Sequence, residues 1–364
     1  MRRCFDSSEN FTALSTMLRT VGRSPMSHSL YSAKVQGYSD SPLGAEPSVT
    51  AIIPTHRRPH LVMRALDSAL KQSYPRLNVV LVIDGIDEET RRRASELKES
   101  RLRIVELRSS AGAAQARNIG VDLSTTDWVA FLDDDDEWLP EKIAKQMEAA
   151  SRSACKYPVV STRTIVRAKA FDWISPNRLY RNGEPMSEYL FCRRRFVDGA
   201  RYMQTSTLMV RRELMLKLPF RDLKRHQDWD WLLRAAAYPG VEFQMHPEPL
   251  AVFHVDEGRS SIGRELDWQF SQSWARQMRP AFTPRAYSFF IANECVTRAE
   301  KSNAGTAAYA GLVRDFCQGR PTVRSLLVLL AFLGSTERLR GWLRRRVRSV
   351  RAGARQTNAP IAGA

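Results

Sequence analysis

The stretch Trp128-Val129-Ala130-Phe131-Leu132-Asp133-Asp134-Asp135-Asp136-Glu137-Trp138 decides the fold. Its first five residues are apolar and aromatic-rich, the composition of a buried strand. Five carboxylates follow with no basic residue among them. Two unit charges about 4 Å apart repel by about 4 kcal/mol at an effective dielectric near 20, so such a cluster at a strand end needs solvent or a cation. Carboxylate oxygens are hard ligands suited to Mg²⁺, Mn²⁺ or Ca²⁺. The other reading is a solvated acidic loop capping a helix that opens with Leu139-Pro140-Glu141-Lys142.

Working outward, Ser48–Thr55, Leu77–Gly85 and Leu102–Leu107 are further apolar strand patterns. Helical spacing separates them at His60–Gln72, Glu88–Ser100 and Ala113–Leu123. Strands apolar on both faces that alternate with helices predict a parallel sheet covered on both sides, an α/β fold. Ligands bind at the carboxyl ends of such strands. Pro54, Thr55, Asp84 and Asp133 stand at those ends and are expected to converge on one crevice. Neither glycine-rich phosphate loop, G-x-x-x-x-G-K-[ST] or G-x-G-x-x-G, is present, so a nucleotide's phosphates would be held by a cation and basic side chains.

The chain of 364 residues is 43% hydrophobic and 26% charged, within the range of soluble globular proteins. A formal charge of +17 points to an anionic partner. Five scattered cysteines with no CxxC pair argue against a disulfide framework or a zinc site, and for a reducing compartment. No apolar stretch reaches the roughly 18–20 residues of a membrane span, and Met1-Arg2-Arg3 leads into no signal-peptide core. A cytoplasmic location is expected, peripheral at the inner face of the plasma membrane.

Several motifs stand in order: Pro54-Thr55-His56-Arg57-Arg58-Pro59, Val82-Ile83-Asp84-Gly85, Gly112-Ala113-Ala114-Gln115-Ala116-Arg117-Asn118-Ile119-Gly120, then the acidic cluster. Over residues 47–260 this order resembles the inverting, metal-dependent family 2 glycosyltransferases of GT-A fold. His56-Arg57 stands where that family often has Tyr-Asn, and Asp84-Gly85 where Asp-Asp-Gly-Ser is commoner. The resemblance implies a Rossmann-like, mainly parallel sheet flanked by helices, a nucleoside-diphosphate sugar donor, and Mn²⁺ or Mg²⁺ as cofactor. It puts Pro54, Thr55, His56, Arg58, Asp84, Arg117 and Asp133 around the nucleotide sugar. Asp133 and Asp135 correspond to the DxD pair, with Asp135, Asp133 and His254 as metal ligands and Asp134 facing solvent. In Arg225-His226-Gln227-Asp228-Trp229-Asp230-Trp231, Asp228 matches the catalytic base. Gln204, Trp229 and Asp136 are acceptor-side candidates, Asp136 also an additional metal ligand. The implied acceptor is a saccharide or lipid-linked saccharide, in cell-surface polysaccharide or glycoconjugate synthesis.

Residues 1–47 form an expected poorly ordered extension, with a short helix near Phe11–Leu18. Residues 48–264 form the transferase domain, divided into a nucleotide half (48–138) and an acceptor half (139–264). Gln204–Arg212 reads as a strand, 172–200 as irregular, and Arg193-Arg194-Arg195 as a solvated run or an acceptor face. Residues 265–364 read as a helical extension, with patterns at Trp268–Met278, Tyr287–Lys301 and Thr306–Cys317. It ends in a basic tail in which Leu339, Trp342, Leu343, Val347 and Val350 oppose Arg338, Arg340, Arg344, Arg345, Arg346, Arg348, Arg351 and Arg355. That composition suits an interfacial helix on anionic lipid; a solvated tail and a nucleic-acid arm are the alternatives, and nucleic acid is not the expected partner. Two further functional readings stay open: a metal-dependent phosphohydrolase with Asp133 as nucleophile, and a non-catalytic basic binder.

Overall fold

The computed structural model describes residues 47–192, 202–255, 266–302 and 304–333. The amino-terminal extension, Arg193-Arg194-Arg195 and the basic tail lie outside the described residues.

Four strands, β1 (Val49–Thr55), β2 (Leu77–Ile83), β3 (Leu102–Glu106) and β4 (Trp128–Phe131), pair in parallel in the order β3-β2-β1-β4. Their connections are helices α1 (Pro59–Leu70), α2 (Glu88–Glu96) and α3 (Ala113–Leu123). The period-2 alternation of a strand explains the apolar runs. Ala51, Ile53, Val79, Leu81 and Ala130 face a core shared with Val62, Leu66 and Ala69 of α1. Val80 and Val82 face the other way, onto Ala116 and Ile119 of α3. The strand order reverses between β1 and β4, so the crevice of this sheet opens beside Thr55 and Asp133.

The second half of the sheet is not parallel throughout. The remaining strands are β5 (Asp136–Trp138), β6 (Tyr157–Arg167), β7 (Asp172–Ser175), β8 (Met209–Arg211) and β9 (Val241–His254). They extend the order as β4-β8-β6-β9-β5, with β7 on β6. β8 runs antiparallel to both β4 and β6, β5 antiparallel to β9, and only β6 and β9 pair in parallel. α4 (Lys142–Ser151) adds Ile143, Met147 and Ala150 to the core beside α1.

Two readings need correction. Gln204–Arg212 is not one strand, because Thr205–Thr207 forms a 3₁₀ turn and only Met209–Arg211 joins the sheet. The hydroxyls of Thr205 and Ser206 bond to Asp228 and Asp136, and that of Thr207 to the Gln204 carbonyl, the competition by which Ser and Thr draw a chain out of regular ladders. Residues 172–200 are not irregular throughout. β7 closes a hairpin on β6, and α5 (Met186–Phe191) follows. β7 is an edge strand with three of four residues exposed, so no apolar pattern marks it.

The chain divides into two compact units, one of residues 47–186 and 202–255, the other of 187–192 and 266–333 among the described residues. The first also holds α6 (Arg212–Lys217) and α7 (Gln227–Ala236). The second holds α8 (Trp268–Gln277), α9 (Pro284–Phe290), α10 (Thr297–Lys301), α11 (Thr306–Gln318) and α12 (Val323–Leu333), with a π-helical turn at Ile291–Val296. Asp267 and Thr283 cap α8 and α9 by accepting from Phe270 N and Ala286 N. Phe191 stacks on Phe282 at 5.2 Å and meets Phe290 edge-on at 5.0 Å. No helix among the described residues is long and apolar enough to cross a membrane.

One glycine fixes how closely α3 sits on the sheet. A Cβ on Gly120 would lie 2.4 Å from Ile52 Cγ2, inside contact distance of a fully buried strand residue. Gly120→Ala gains about 1 kcal/mol of helix propensity but overpacks the interface by about 1–3 kcal/mol. A net loss of stability in urea titration is expected; unchanged stability would show that α3 can lift away freely.

Candidate active site

The first loop and the end of β2 are built as one piece. His56 Nδ1 donates to the Asp84 carbonyl at 2.5 Å, which places the ring proton on Nδ1 because a carbonyl only accepts. The Asp84 carboxylate turns toward the segment before α3, accepting from Ser110 Oγ (2.9 Å), Ala111 N (2.6 Å) and Gly112 N (3.0 Å). Gly112 takes φ +87°, a conformation open to glycine, and starts α3. Asp84 therefore organises the loop between β3 and α3 and retains acceptor capacity for one more donor.

The acidic turn distributes its carboxylates in different directions. The Asp136 N–H donates to the Asp133 carbonyl at 3.1 Å and closes the turn. Asp133 points to Arg117, with Oδ1 2.5 Å from Nη2. Asp134 does not face solvent: it is 6% exposed. Thr55 Oγ1 donates to its Oδ2 at 2.8 Å and Arg58 Nη1 to its Oδ1 at 3.1 Å. Burial pushes the Asp134 carboxyl above its ordinary value, with Arg58 and Thr55 pulling against that. Asp135 keeps part of its carboxylate at the surface, 3.2 Å from Arg58 Nη1, and its carbonyl accepts from Arg64 Nη2 at 2.9 Å. Asp136 is buried under the turn, where Oδ2 accepts from Ser206 Oγ at 2.5 Å. That bond turns Asp136 Oδ2 toward the 3₁₀ turn beneath the acidic cluster.

The 3₁₀ turn at Thr205–Thr207 ties this cluster to α7. Ser206 Oγ also accepts from Asp133 N at 3.1 Å, and the Ser206 carbonyl takes Trp138 Nε1 at 2.7 Å. Thr205 Oγ1 donates to Asp228 Oδ1. Arg117 completes the link, since its Nη1 reaches Gln227 Oε1 at 3.3 Å while Nη2 holds Asp133. Burial of Arg117 disfavours its charge, but Asp133, Asp228 and Asp134 together more than offset this and hold the guanidinium above its ordinary value. Desolvation raises the Asp228 carboxyl, with Arg117 lowering it and Asp133 raising it. Asp228 lies in the first turn of α7, whose helix dipole favours its ionised form.

Neighbouring residues sort by what they touch. Asn118 brackets Phe220, its Nδ2 donating to the carbonyl at 2.8 Å and its Oδ1 accepting from the N–H at 3.0 Å. Asp230 is fully buried between Arg221 and Arg234, a structural ion pair that leaves Asp228 as the available carboxylate on α7. Trp231 is core, donating to the Leu218 carbonyl at 2.8 Å, whereas Trp229 stacks on His226 at 4.7 Å. Gln204 precedes the 3₁₀ turn, and its carbonyl accepts from Thr207 Oγ1 at 2.7 Å. Pro54 is buried in β1, paired with Val82. His254 meets Glu137, Nε2 to Oε1 2.5 Å. Among the described residues no three His, Cys, Asp or Glu side chains gather as a metal cage. Asp133, Asp135 and His254 are thus not brought together, each being held by its own partner.

The hydroxyls of Thr205 and Ser206 were not singled out from the sequence, although the run Gln204-Thr205-Ser206-Thr207 is polar where a buried strand would be apolar. Two positive-φ residues also mark the site, Arg57 (φ 52°) in the first loop and His226 (φ 65°) at the amino end of α7. Non-glycine residues there are uncommon and gather at functional sites.

A profile of the family described as Glycosyl transferase family 2 matches residues 50–218, which include the crevice strands, the acidic turn and the 3₁₀ turn. Residues 50–218 form a family 2 glycosyltransferase domain. The amylovoran biosynthesis glycosyltransferase AmsB of Erwinia amylovora is 27% identical over 279 residues, 74% of this chain and 90% of that protein. The Escherichia coli enzyme WfgD, named a UDP-Glc:alpha-D-GlcNAc-diphosphoundecaprenol beta-1,3-glucosyltransferase, is 27% identical over 140 residues, 37% of this chain and 55% of that protein. The fold matches the mannosyltransferase PcManGT of Pyrobaculum calidifontis, solved with GDP-Man and Mn²⁺. There the TM-score is 0.51 at 19% identity, covering 92% of this chain and 91% of that one. The family match favours the transferase reading over the hydrolase one, and Asp133 is salt-bridged to Arg117.

Beneath this glycosyltransferase turn lies a buried lysine. Lys142 Nζ donates to Gln146 Oε1 at 2.7 Å and sits 4.0 Å from the centroid of the Trp138 ring. Gln146 Nε2 in turn holds the carbonyls of Val160 (2.7 Å) and Thr207 (2.8 Å). Burial drives the Lys142 amine well below its ordinary value. The unfolded chain keeps that proton up to about pH 10.4, so wild-type stability rises with pH between the folded value and about 10.4. Comparing urea unfolding at about pH 7 and pH 9, Lys142→Met is expected to lack this rise. Equal pH slopes would mean the amine stays charged in the fold.

Proposed function

We propose that the crevice between the ends of β1 and β4 binds a nucleoside-diphosphate sugar, and that Asp228 is the base of an inverting transfer to a saccharide hydroxyl. One observation carries this reading: the buried guanidinium of Arg117 pairs with Asp133 of the acidic turn and also interacts electrostatically with Asp228 of α7. As the acceptor oxygen forms its bond to the anomeric carbon, its proton passes to Asp228, and the bond to the diphosphate breaks with its electrons on the leaving group. Inversion requires the base on the face opposite that leaving group. Desolvation brings the Asp228 carboxyl nearer the working pH, which favours proton transfer. Thr205, donating to Oδ1, fixes the carboxylate's orientation.

Thr55, His56 and Arg58 border the nucleotide end, and Asp84 shapes the loop against which the base would lie. Asp133 and Asp135 are two hard-oxygen donors on one turn, each balanced by an arginine. That fits Mg²⁺ or Mn²⁺, which commonly binds one or two carboxylates plus substrate phosphates rather than a closed protein cage. When bound, the cation offsets charge growing on the leaving diphosphate. PcManGT with GDP-Man and Mn²⁺ supports this, as does the chemistry of the donor set. His254, paired with Glu137, is left outside it. Trp229 and Gln204 are the candidates on the acceptor side. The names of AmsB and WfgD support an acceptor in polysaccharide assembly, free or lipid-linked.

Calorimetric titration of UDP, GDP, CDP and dTDP with Mn²⁺, Mg²⁺ or EDTA tests the reading. Wild type is expected to bind one of them only with metal, and Asp135→Ala to lose that binding. Asp228→Asn is expected to keep it while kcat falls about 10²–10⁴-fold. Metal-independent binding to all four, or full activity in Asp228→Asn, would contradict it.

A further inference from the structure

The carboxyl-terminal helix of the second unit carries a face that its own unit does not use. α12 is anchored through Ser325 and Leu329, which are buried. Val323, Leu326, Leu327 and Leu330 remain 76%, 43%, 45% and 53% exposed. At i, i+3, i+4 and i+7 these four fall within an arc of about 100° on the helix, a continuous apolar stripe rather than scattered surface residues. Single exposed leucines are ordinary, but four aligned on one helix mark a surface that meets something apolar.

The sequence that follows says what. Residues 334–364 hold eight arginines, Arg338, Arg340, Arg344, Arg345, Arg346, Arg348, Arg351 and Arg355, against the single acidic residue Glu337, and include Trp342 and Leu343. An apolar partner protein would not call for that density of positive charge next to the stripe. A surface with hydrocarbon beneath anionic head groups would, because aliphatic side chains partition into the acyl boundary while arginines gather at the phosphates. Helical anchorage by the stripe and attraction by the arginines are the two signals that stable but reversible membrane binding needs.

We infer that α12 docks on an anionic lipid bilayer through Val323, Leu326, Leu327 and Leu330, with the arginine-rich segment after it supplying electrostatic attraction. The inference stands on exposure and charge, not on the transferase reading, so the two fail separately.

Sedimentation of the full chain with vesicles of phosphatidylglycerol and phosphatidylcholine in equal parts, against phosphatidylcholine alone, tests it. Wild type is expected to sediment with the anionic vesicles, and to be released when salt is raised from about 0.1 to about 0.5 M. Leu326→Asp combined with Leu330→Asp is expected to weaken partitioning at least about tenfold, because two leucines leave the apolar phase. Leu327→Gln alone, a milder change at an exposed position, is expected to weaken it in the same direction. An unchanged melting temperature and circular-dichroism spectrum would show that the fold is intact. Undiminished vesicle binding by these variants would give the arginines the whole effect and overturn the docking face. So would absence of vesicle binding by wild type, or a concentration-dependent dimer that the same substitutions abolish.

Discussion

A guanidinium buried among carboxylates is the constraint on which the site depends. Arg117 cannot shed its proton, so a buried position for it is tolerable only with compensating charge. Asp133 supplies that at 2.5 Å, and Asp228 and Asp134 add to it. The dependence runs both ways, since carboxylates crowded at the end of β4 would repel one another without Arg117 and Arg58 between them. Asn118, the next residue, grips both backbone groups of Phe220 and so anchors the segment leading to α7. One turn of α3 therefore fixes the acidic cluster and the approach to the candidate base together.

Around this core the polar groups are layered. Asp84 and the 3₁₀ turn turn inward and hold chain segments, whereas Asp135 and the first loop keep access to the crevice. Neutral side chains hold the inner layer together: Ser206 donates to Asp136 Oδ2, Thr205 donates to Asp228, and Gln146 accepts from Lys142 while donating to the Thr207 carbonyl. A network of this kind is costly when any member is removed, because the partner left behind is buried. Arg57 and His226, both held at positive φ, sit at the two loops that border the crevice, where local strain is maintained by the packing beneath.

Much of this was legible in the sequence. Continuous apolar runs gave the parallel half of the sheet, and the crevice position followed from strand ends alone. The Ala-Arg-Asn element marked Arg117, and the acidic run marked Asp133 and Asp135. What escaped was set by tertiary contacts that leave no period in the sequence. The direction of each carboxylate in Asp133–Asp136 depends on the turn closed by the Asp136 N–H, so Asp134 reads as solvent-facing but lies buried under Thr55 and Arg58. β7 is an edge strand whose exposed residues mimic a loop. The 3₁₀ turn reads as a strand because threonine favours strands, until hydrogen bonds to Asp228 and Asp136 take its neighbourhood elsewhere. His254 follows an apolar strand as expected, yet its partner Glu137 is decided by the pairing of β5 with β9.

The central claim is that Arg117 couples the acidic turn to Asp228 electrostatically. The pH dependence of kcat in wild type and Arg117→Met measures this directly. With the guanidinium gone, Asp228 loses the charge that lowers it while Asp133 still raises it, so the acidic limb should move to higher pH. An acidic limb that stays in place, with the loss confined to KM, would contradict the account and reduce Arg117 to a donor-binding residue.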